Sequence, residues 1–350
     1  MQQNDLSLPH YNNHYWQSHK WPTIKKILQV RTSTLWTATR AYRCDKPYKT
    51  AAGSHTTPYC PICGHYPHVR PPRDTPGHIL GSCQHPRIAK CIIARHNQAV
   101  CTLQRSIHHS LGPLSGHYTV MDATSSAALP HGVFATRVPK WMFSPDFDDA
   151  TRLLLRPDIL IIEGLPRETY LALRQDIESQ SVVGTTFISS LKQNPTTKVH
   201  IIELGYTSDA TYDHALSRKL PQHNRLASHL LSAGWSLASS PNPPALLPDA
   251  HADDPPTPDP LPPQLPHNIP DFSHHVHIFL LSTSGVIYRP ADTLCSILGI
   301  PPSEITDVLR SLHCLTIRFL DTIIKTRRRL ERDPTTFTLL THFPVPPDPP

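Results

Sequence analysis

The chain has no run approaching the roughly 20 consecutive apolar residues that a membrane-spanning helix needs. Its start, Met1-Gln2-Gln3-Asn4-Asp5, offers neither the basic region nor the apolar stretch of a secretory signal. Charge is scarce at 17% of residues, and the formal net charge of +6 leans toward a polyanionic partner without identifying one. Cysteine is sparse as well. Eight thiols, at Cys44, Cys60, Cys63, Cys83, Cys91, Cys101, Cys295 and Cys314, are too few to staple 350 residues. The expectation is a reduced protein of the nucleus or cytoplasm, neither secreted nor membrane-bound.

Proline and histidine are abundant instead, at 39 and 24 residues. Proline suits neither helix nor sheet interiors, so part of the length must run as extended segments. The clearest is 241–270, where 12 of 30 residues are proline; it reads as a semi-rigid polyproline linker. A hydrophobic content of 38% still suffices for at least one core. Before the linker, 21–41 reads as a basic helix, and Ile88, Cys91, Ile92, Ala99, Leu103 and Ile107 recur with helical spacing. Strand-like runs follow at 118–121, 132–138, 159–163 and 199–206, then a helix over 210–233 that Pro221 should break or bend. After the linker, 275–281 and 286–288 suggest a hairpin, and 303–332 a long helix. The order strand, helix, strand predicts an α/β fold with a mixed sheet.

Three clusters could carry chemistry. Cys60-Pro61-Ile62-Cys63 is followed after fourteen residues by His78, and after four more by Cys83. Zinc takes four nitrogen or thiolate ligands tetrahedrally, and a two-residue gap lets both thiolates of one turn reach a single ion. The set predicts a structural zinc site, with His65, His68 or His85 able to replace His78; free cysteines in a loop are the alternative. Arg95-His96-Asn97 lies on the helix after it, where a lone histidine is more often a surface contact than a catalytic group. Arg156-Pro157-Asp158 precedes one apolar strand, Glu203 lies inside the next, and Lys219 stands on the following helix. Carboxylates on adjacent strands repel unless a divalent cation lies between them, which suits a Mg²⁺-dependent phosphodiesterase with a lysine beside the attacking water. Spacing alone favours the plainer account of a turn cap, a strand-edge acid and a solvated lysine. Phe147-Asp148-Asp149 is read as loop solvation, and Arg327-Arg328-Arg329 as a solvated helix end near the negative dipole pole.

In this order the pieces resemble the carboxy-terminal part of the reverse-transcriptase polyprotein of non-LTR retrotransposons that carry a restriction-like endonuclease. Cys60 to Cys63 with His78 and Cys83 is similar to that family's CCHC knuckle, Arg95-His96-Asn97 to its RHN element, and Arg156-Pro157-Asp158-Ile159 to its PD strand. Glu203-Leu204-Gly205-Tyr206 with Asp209 is similar to the acidic strand after it, and Lys219 with His223 to the family's helix-borne lysine.

The resemblance implies a PD-(D/E)xK restriction-endonuclease-like mixed sheet flanked by helices and preceded by a CCHC zinc knuckle. It implies structural Zn²⁺ at Cys60, Cys63, His78 and Cys83, catalytic Mg²⁺ at Asp158 and Glu203, Lys219 as catalytic lysine, and support from Arg95, His96, Asn97, Arg156, Asp209 and His223. The corresponding division is a basic helical segment at 1–55, knuckle and helix at 56–112, endonuclease at 113–240, linker at 241–270, and hairpin and helix at 271–350. The implied activity is Mg²⁺-dependent nicking of target DNA, without the polymerase domain that precedes it in the family. DNA is the expected partner, with element RNA a second candidate; the basic helix around Lys25 and Lys26 and the knuckle would hold phosphates. The rival is a non-catalytic zinc-dependent nucleic-acid-binding remnant.

Overall fold

The computed structural model describes residues 19–63, 72–111, 118–121, 133–135, 137–166, 168, 185–208, 212–239, 273–288, 291, 295 and 298–338. The expected linker at 241–270 lies outside these residues, as do Asp209, His65 and His68.

The helix expected over 21–41 is two, α1 (Trp21–Arg31) and α2 (Ala38–Arg43). Ser33 takes φ 51°, a left-handed conformation that a right-handed helix cannot continue through. Thr37 then restarts the chain by accepting the Arg40 N–H at 3.2 Å, as an N-cap does. A small hairpin, β1 (Tyr48–Thr50) and β2 (Gly53–His55), leads to the short helix α3 (Pro76–Gly81) and the long α4 (Pro86–Leu111).

Five strands form one mixed sheet in the order β4-β3-β5-β6-β7. These are β3 (Tyr118–Met121), β4 (Val133–Ala135), β5 (Ile159–Glu163), β6 (Lys198–Thr207) and β7 (Val276–Ser282). The run β3, β5, β6 is antiparallel, while β4 lies parallel to β3 and β7 parallel to β6. Parallel pairing of β6 and β7 needs a crossover. The connection contains α7 (Tyr212–Ser232), one uninterrupted helix from end to end despite Pro221, where a break or bend was expected. Two shorter helices, α5 (Asp149–Leu154) and α6 (Thr185–Gln193), stand before β5 and β6. The hairpin expected after the linker reduces to β7 and a turn, since Ile287 makes only an isolated bridge back to Leu281.

Alternation along the strands builds a core on each face. Leu160, Ile162, Val199, Ile201, Ile278 and Leu280 pack with Ile188 and Leu191 of α6 and with Leu220, Leu226 and Leu230 of α7. Ile159, Ile161, Ile202, Leu204, Phe279 and Leu281 point the other way, onto Ala99, Leu103 and Ile107 of α4 and onto α8 (Pro302–Arg332). At 31 residues α8 is long enough to serve two cores. Ile305, Leu309 and Leu312 close the sheet; Ile317, Leu320, Ile323, Ile324 and Leu330 join Ile27, Ile62, Ile79, Leu80 and Ile88 in a third core around the cysteines. Among the described residues, no helix is long and apolar enough to cross a membrane.

Candidate functional site

The cysteine site is assembled by three local devices. Cys60 and Cys63 flank a tight turn, and an antiparallel bridge between Tyr59 and Arg73 brings the start of α3 beside it. Thr75 caps α3 by accepting the His78 N–H at 3.1 Å, which fixes His78 in the first turn. Cys83 follows the last turn of α3. The ligand atoms of Cys60, Cys63, His78 and Cys83 all lie within 4.8 Å of one another and all four residues are buried. Cys63 Sγ is 3.5 Å from both His78 Nε2 and Cys83 Sγ. Two sulfurs on one tetrahedral zinc at about 2.3 Å each would stand about 3.7 Å apart, so the donor set fits such an ion. The cluster can hold a metal such as zinc. Ser82 Oγ lies 3.3 Å from His78 Nδ1, leaving Nε2 to face the thiols. His85 is not a ligand: its Nδ1 accepts the Arg87 N–H at 3.3 Å at the start of α4.

Electrostatics split the thiols: hydrogen bonding with Cys60 and Cys63, together with burial, pushes the Cys83 thiol up, while Cys63 is held down. Hydrogen bonds from Cys60 and Cys83 hold the Cys63 thiol down at about 3, against the opposing effect of burial. Arg327, from the second half of α8, reaches into the cluster. Its Nη1 donates to Cys60 Sγ at 3.1 Å, its Nη2 to Asp74 Oδ1 at 2.9 Å, and its Nε to Glu331. Burial opposes the charge on this guanidinium, but Asp74, Cys60 and Glu331 outweigh it and keep Arg327 protonated. Asp74 also accepts the Ala38 N–H at 2.7 Å, so one carboxylate ties α2, α8 and the cysteine segment together.

The second site lies where β5 begins. Ile159 pairs with Ile202 across the antiparallel register, which sets Asp158 beside Glu203. The Asp158 N–H donates to Glu203 Oε2 at 3.4 Å, and the Leu204 N–H to Asp158 Oδ2 at 2.7 Å. From α4, His96 Nε2 stands 2.9 Å from Asp158 Oδ1. From α7, Lys219 Nζ donates to Glu203 Oε1 and, at 3.3 Å, to the Leu204 carbonyl; His223 Nε2 is 3.1 Å from Glu203 Oε2.

Lysine reaches the strand because of a missing side chain. A Cβ on Gly205 would stand 2.5 Å from Lys219 Cε and 2.8 Å from Leu280 Cδ2, so only glycine leaves this passage open. Burial pushes the Asp158 carboxyl up and the neighbouring charge of Glu203 adds to it, against the opposing pull of its hydrogen bonds with His96 and the Leu204 N–H. Burial works in the same direction on Glu203, but His223 and Lys219 outweigh it and hold that carboxyl at about 2. The arrangement is one carboxylate poised against charging beside one that is firmly charged, the environment in which a cation between them lowers the energy.

The structure thus brings together Asp158, Glu203, Lys219, His96 and His223 from four elements. Arg95 does not join them. It is 1% exposed and stacks over the Tyr206 ring at 3.9 Å, its Nε and Nη1 without hydrogen-bond partners, and burial lowers its pKa to about 10. Arg156 is exposed and donates to the Leu153 carbonyl at 2.8 Å. Asn97 is half-buried on α4 beside His96. Asp148 accepts the Thr151 N–H at 2.7 Å as the cap of α5, in keeping with a structural role. Lys26, expected to hold phosphate, is buried against Asp321 in an ion pair, which leaves Lys25 as the exposed lysine of that helix. Sequence reasoning missed Gly205 as the passage for Lys219 and Arg327 as a partner of Cys60. The first could have been suspected from a glycine two residues past a strand acid; the second carries no local signal, being 267 residues from Cys60.

No protein-family model matches the chain, and no curated protein matches it.

Proposed function

We propose that the chain is a Mg²⁺-dependent DNA endonuclease domain of restriction-like type, with a zinc knuckle that is structural. The observation that carries this reading is the meeting of two buried carboxylates with a lysine threaded over Gly205. The strand order supports it too: α4, the antiparallel run β3-β5-β6, α7 and parallel β7 give a helix-three strands-helix-strand arrangement whose first acid precedes the middle strand and whose second lies in the next. Asp158 and Glu203 would hold Mg²⁺, which when bound offsets charge on the scissile phosphate and acidifies an attacking water. His96 orients Asp158 by a hydrogen bond, and His223 Nε2 packs against Glu203 Oε2. Lys219 Nζ, anchored by Glu203 and the Leu204 carbonyl, is placed to hold that water by hydrogen bonding. The four donors at Cys60, Cys63, His78 and Cys83 would fill a tetrahedral zinc and leave no position for substrate.

A nicking assay on supercoiled plasmid with zinc-loaded protein and magnesium tests the reading. Asp158→Ala should remove nicking and Lys219→Ala should slow it to a small residual rate, both leaving DNA binding in calcium intact; nicking that survives Asp158→Ala sinks it. One observation favours a second reading, a zinc-dependent binding module without catalysis: Lys219 already pairs with the charge of Glu203. Folded, zinc-loaded protein that binds DNA in calcium and never nicks it in magnesium would select that alternative.

A further inference from the structure

The basic run at the end of α8 divides in the structure. Arg327 turns inward, whereas Lys325, Arg328, Arg329 and Arg332 are exposed and fall at the three-and-four spacing that places them on one stripe of the last two turns. Arg328 and Arg332 also line a groove of about 500 Å³ together with Lys49, Ala51, Trp36 and Glu331. The same two arginines line a second cleft with Lys325, Arg329 and Asp333. Two of the lining segments are tied: the Ala51 N–H, at the tip of the β1–β2 hairpin, donates to the Glu331 carbonyl at 2.7 Å.

Nearby acids are already engaged. Glu331 takes hydrogen bonds from Arg327 and Tyr48, Asp321 pairs with Lys26 and Lys325, and Asp333 accepts the Thr335 N–H at 2.9 Å. The groove is therefore cationic, and Trp36, 46% exposed, offers it an indole.

We infer that this groove binds single-stranded nucleic acid, its phosphates on Lys49, Arg328 and Arg332 and a base stacked on Trp36. The carbonyl pole of α8 repels anions, so phosphate must be met by guanidinium groups that extend away from the axis. A cationic groove alone would accept any polyanion; the indole narrows the ligand. Duplex DNA covers its base faces within the stack, and an acidic peptide has no π-face to offer, whereas a single strand presents both phosphate and base. The inference is independent of the nicking reading, since none of these residues belongs to the carboxylate site.

The test is fluorescence anisotropy of a short labelled oligodeoxynucleotide of mixed sequence, titrated with the full zinc-loaded chain, with the matching duplex and polyglutamate as competitors. Arg328→Ala/Arg332→Ala should weaken single-strand binding and flatten the slope of log affinity against log salt by about 1.4, at about 0.7 per lost phosphate contact. Trp36→Ala should cost about tenfold or more, and Trp36→Phe much less, because a phenyl ring still stacks. Lys140→Ala, which removes an exposed lysine outside both the groove and the carboxylate site, should bind like the parent; the readout is binding alone, so a protein that never nicks leaves this result untouched. All substituted groove residues are exposed, so the variants should keep the parent's unfolding midpoint and metal content. Single-strand binding unchanged by Trp36→Ala or by the double arginine substitution overturns the inference, as does equal loss of duplex or polyglutamate binding in Trp36→Ala.

Discussion

Gly205→Ala is the most discriminating perturbation of the carboxylate site, because it touches none of the proposed catalytic groups chemically. The added methyl would stand 2.5 Å from Lys219 Cε and 2.8 Å from Leu280 Cδ2, whereas non-bonded carbons rest about 3.5–4.0 Å apart. The lysine stem must therefore retreat by about 1 Å or more, carrying Nζ away from Glu203 Oε1. No left-handed backbone conformation is recorded at Gly205, so alanine meets no backbone obstacle and the strain falls on the two side chains. Overpacking of this kind costs about 1–3 kcal/mol, which a chain with three cores should survive. A misplacement of that size in a positioned group slows a reaction by about 10²-fold. Plasmid nicking under magnesium, beside DNA binding in calcium and a denaturant melt, separates the outcomes. The expected result is a folded, DNA-binding protein slowed about 10²-fold, with Gly205→Ala/Lys219→Ala no slower than Lys219→Ala alone, since both act through one amine. Wild-type nicking by Gly205→Ala, or two losses that multiply in the double variant, would refute the idea that glycine is there to admit the lysine.

How much of this could be read from the chain depends on whether the signal is local. The strand 159–163 shows its apolar β-branched run directly, α8 shows its periodicity over 30 residues, and the cysteine cluster declares itself by spacing. Trp21–Arg31 ends early because Ser33 turns left-handed, which composition does not reveal. The pairing of β7 with β6 was equally hidden: it joins Phe279 to Leu204 across the proline-rich run, and no periodicity specifies which strand will be a neighbour. The same holds for the sites. Asp158 and Glu203 meet because of a register, and Arg327 reaches Cys60 because α8 spans two cores. Each of these is a tertiary fact, fixed by packing after the elements exist. One consequence is that the residues beyond the linker complete the sheet and enclose the cysteine cluster rather than forming an appendage.

Three further expectations follow from burial and charge. Adding a chelator to zinc-loaded protein should lower the unfolding midpoint, because Cys60, Cys63 and Cys83, which can hold an ion, lie inside the third core; an unchanged midpoint would mean the cluster folds without an ion. Burial holds His277 at about 4 rather than its ordinary 6.5. The unfolded chain therefore binds the extra proton first, and stability is lost as pH falls from about 6.5 toward about 4. At pH 5 the loss from this one residue is about 2 kcal/mol, so His277→Leu should lose about that much less than the parent between pH 7.5 and pH 5 in denaturant melts, and equal losses would contradict the assignment. Arg327→Met removes the donor to Cys60 and leaves the buried Asp74 without its counter-charge. Uncompensated, that carboxylate should cost about 3–5 kcal/mol of stability, and loss of the N–H···S contact should weaken metal binding about 10- to 100-fold. The two effects are separable: Asp74→Asn/Arg327→Met removes the stranded charge and should recover stability, yet a cobalt titration competed against a chelator should still show the weakened site. Affinity that returned with stability would assign Arg327 to holding the fold alone; affinity that stayed low would make α8 part of the metal centre.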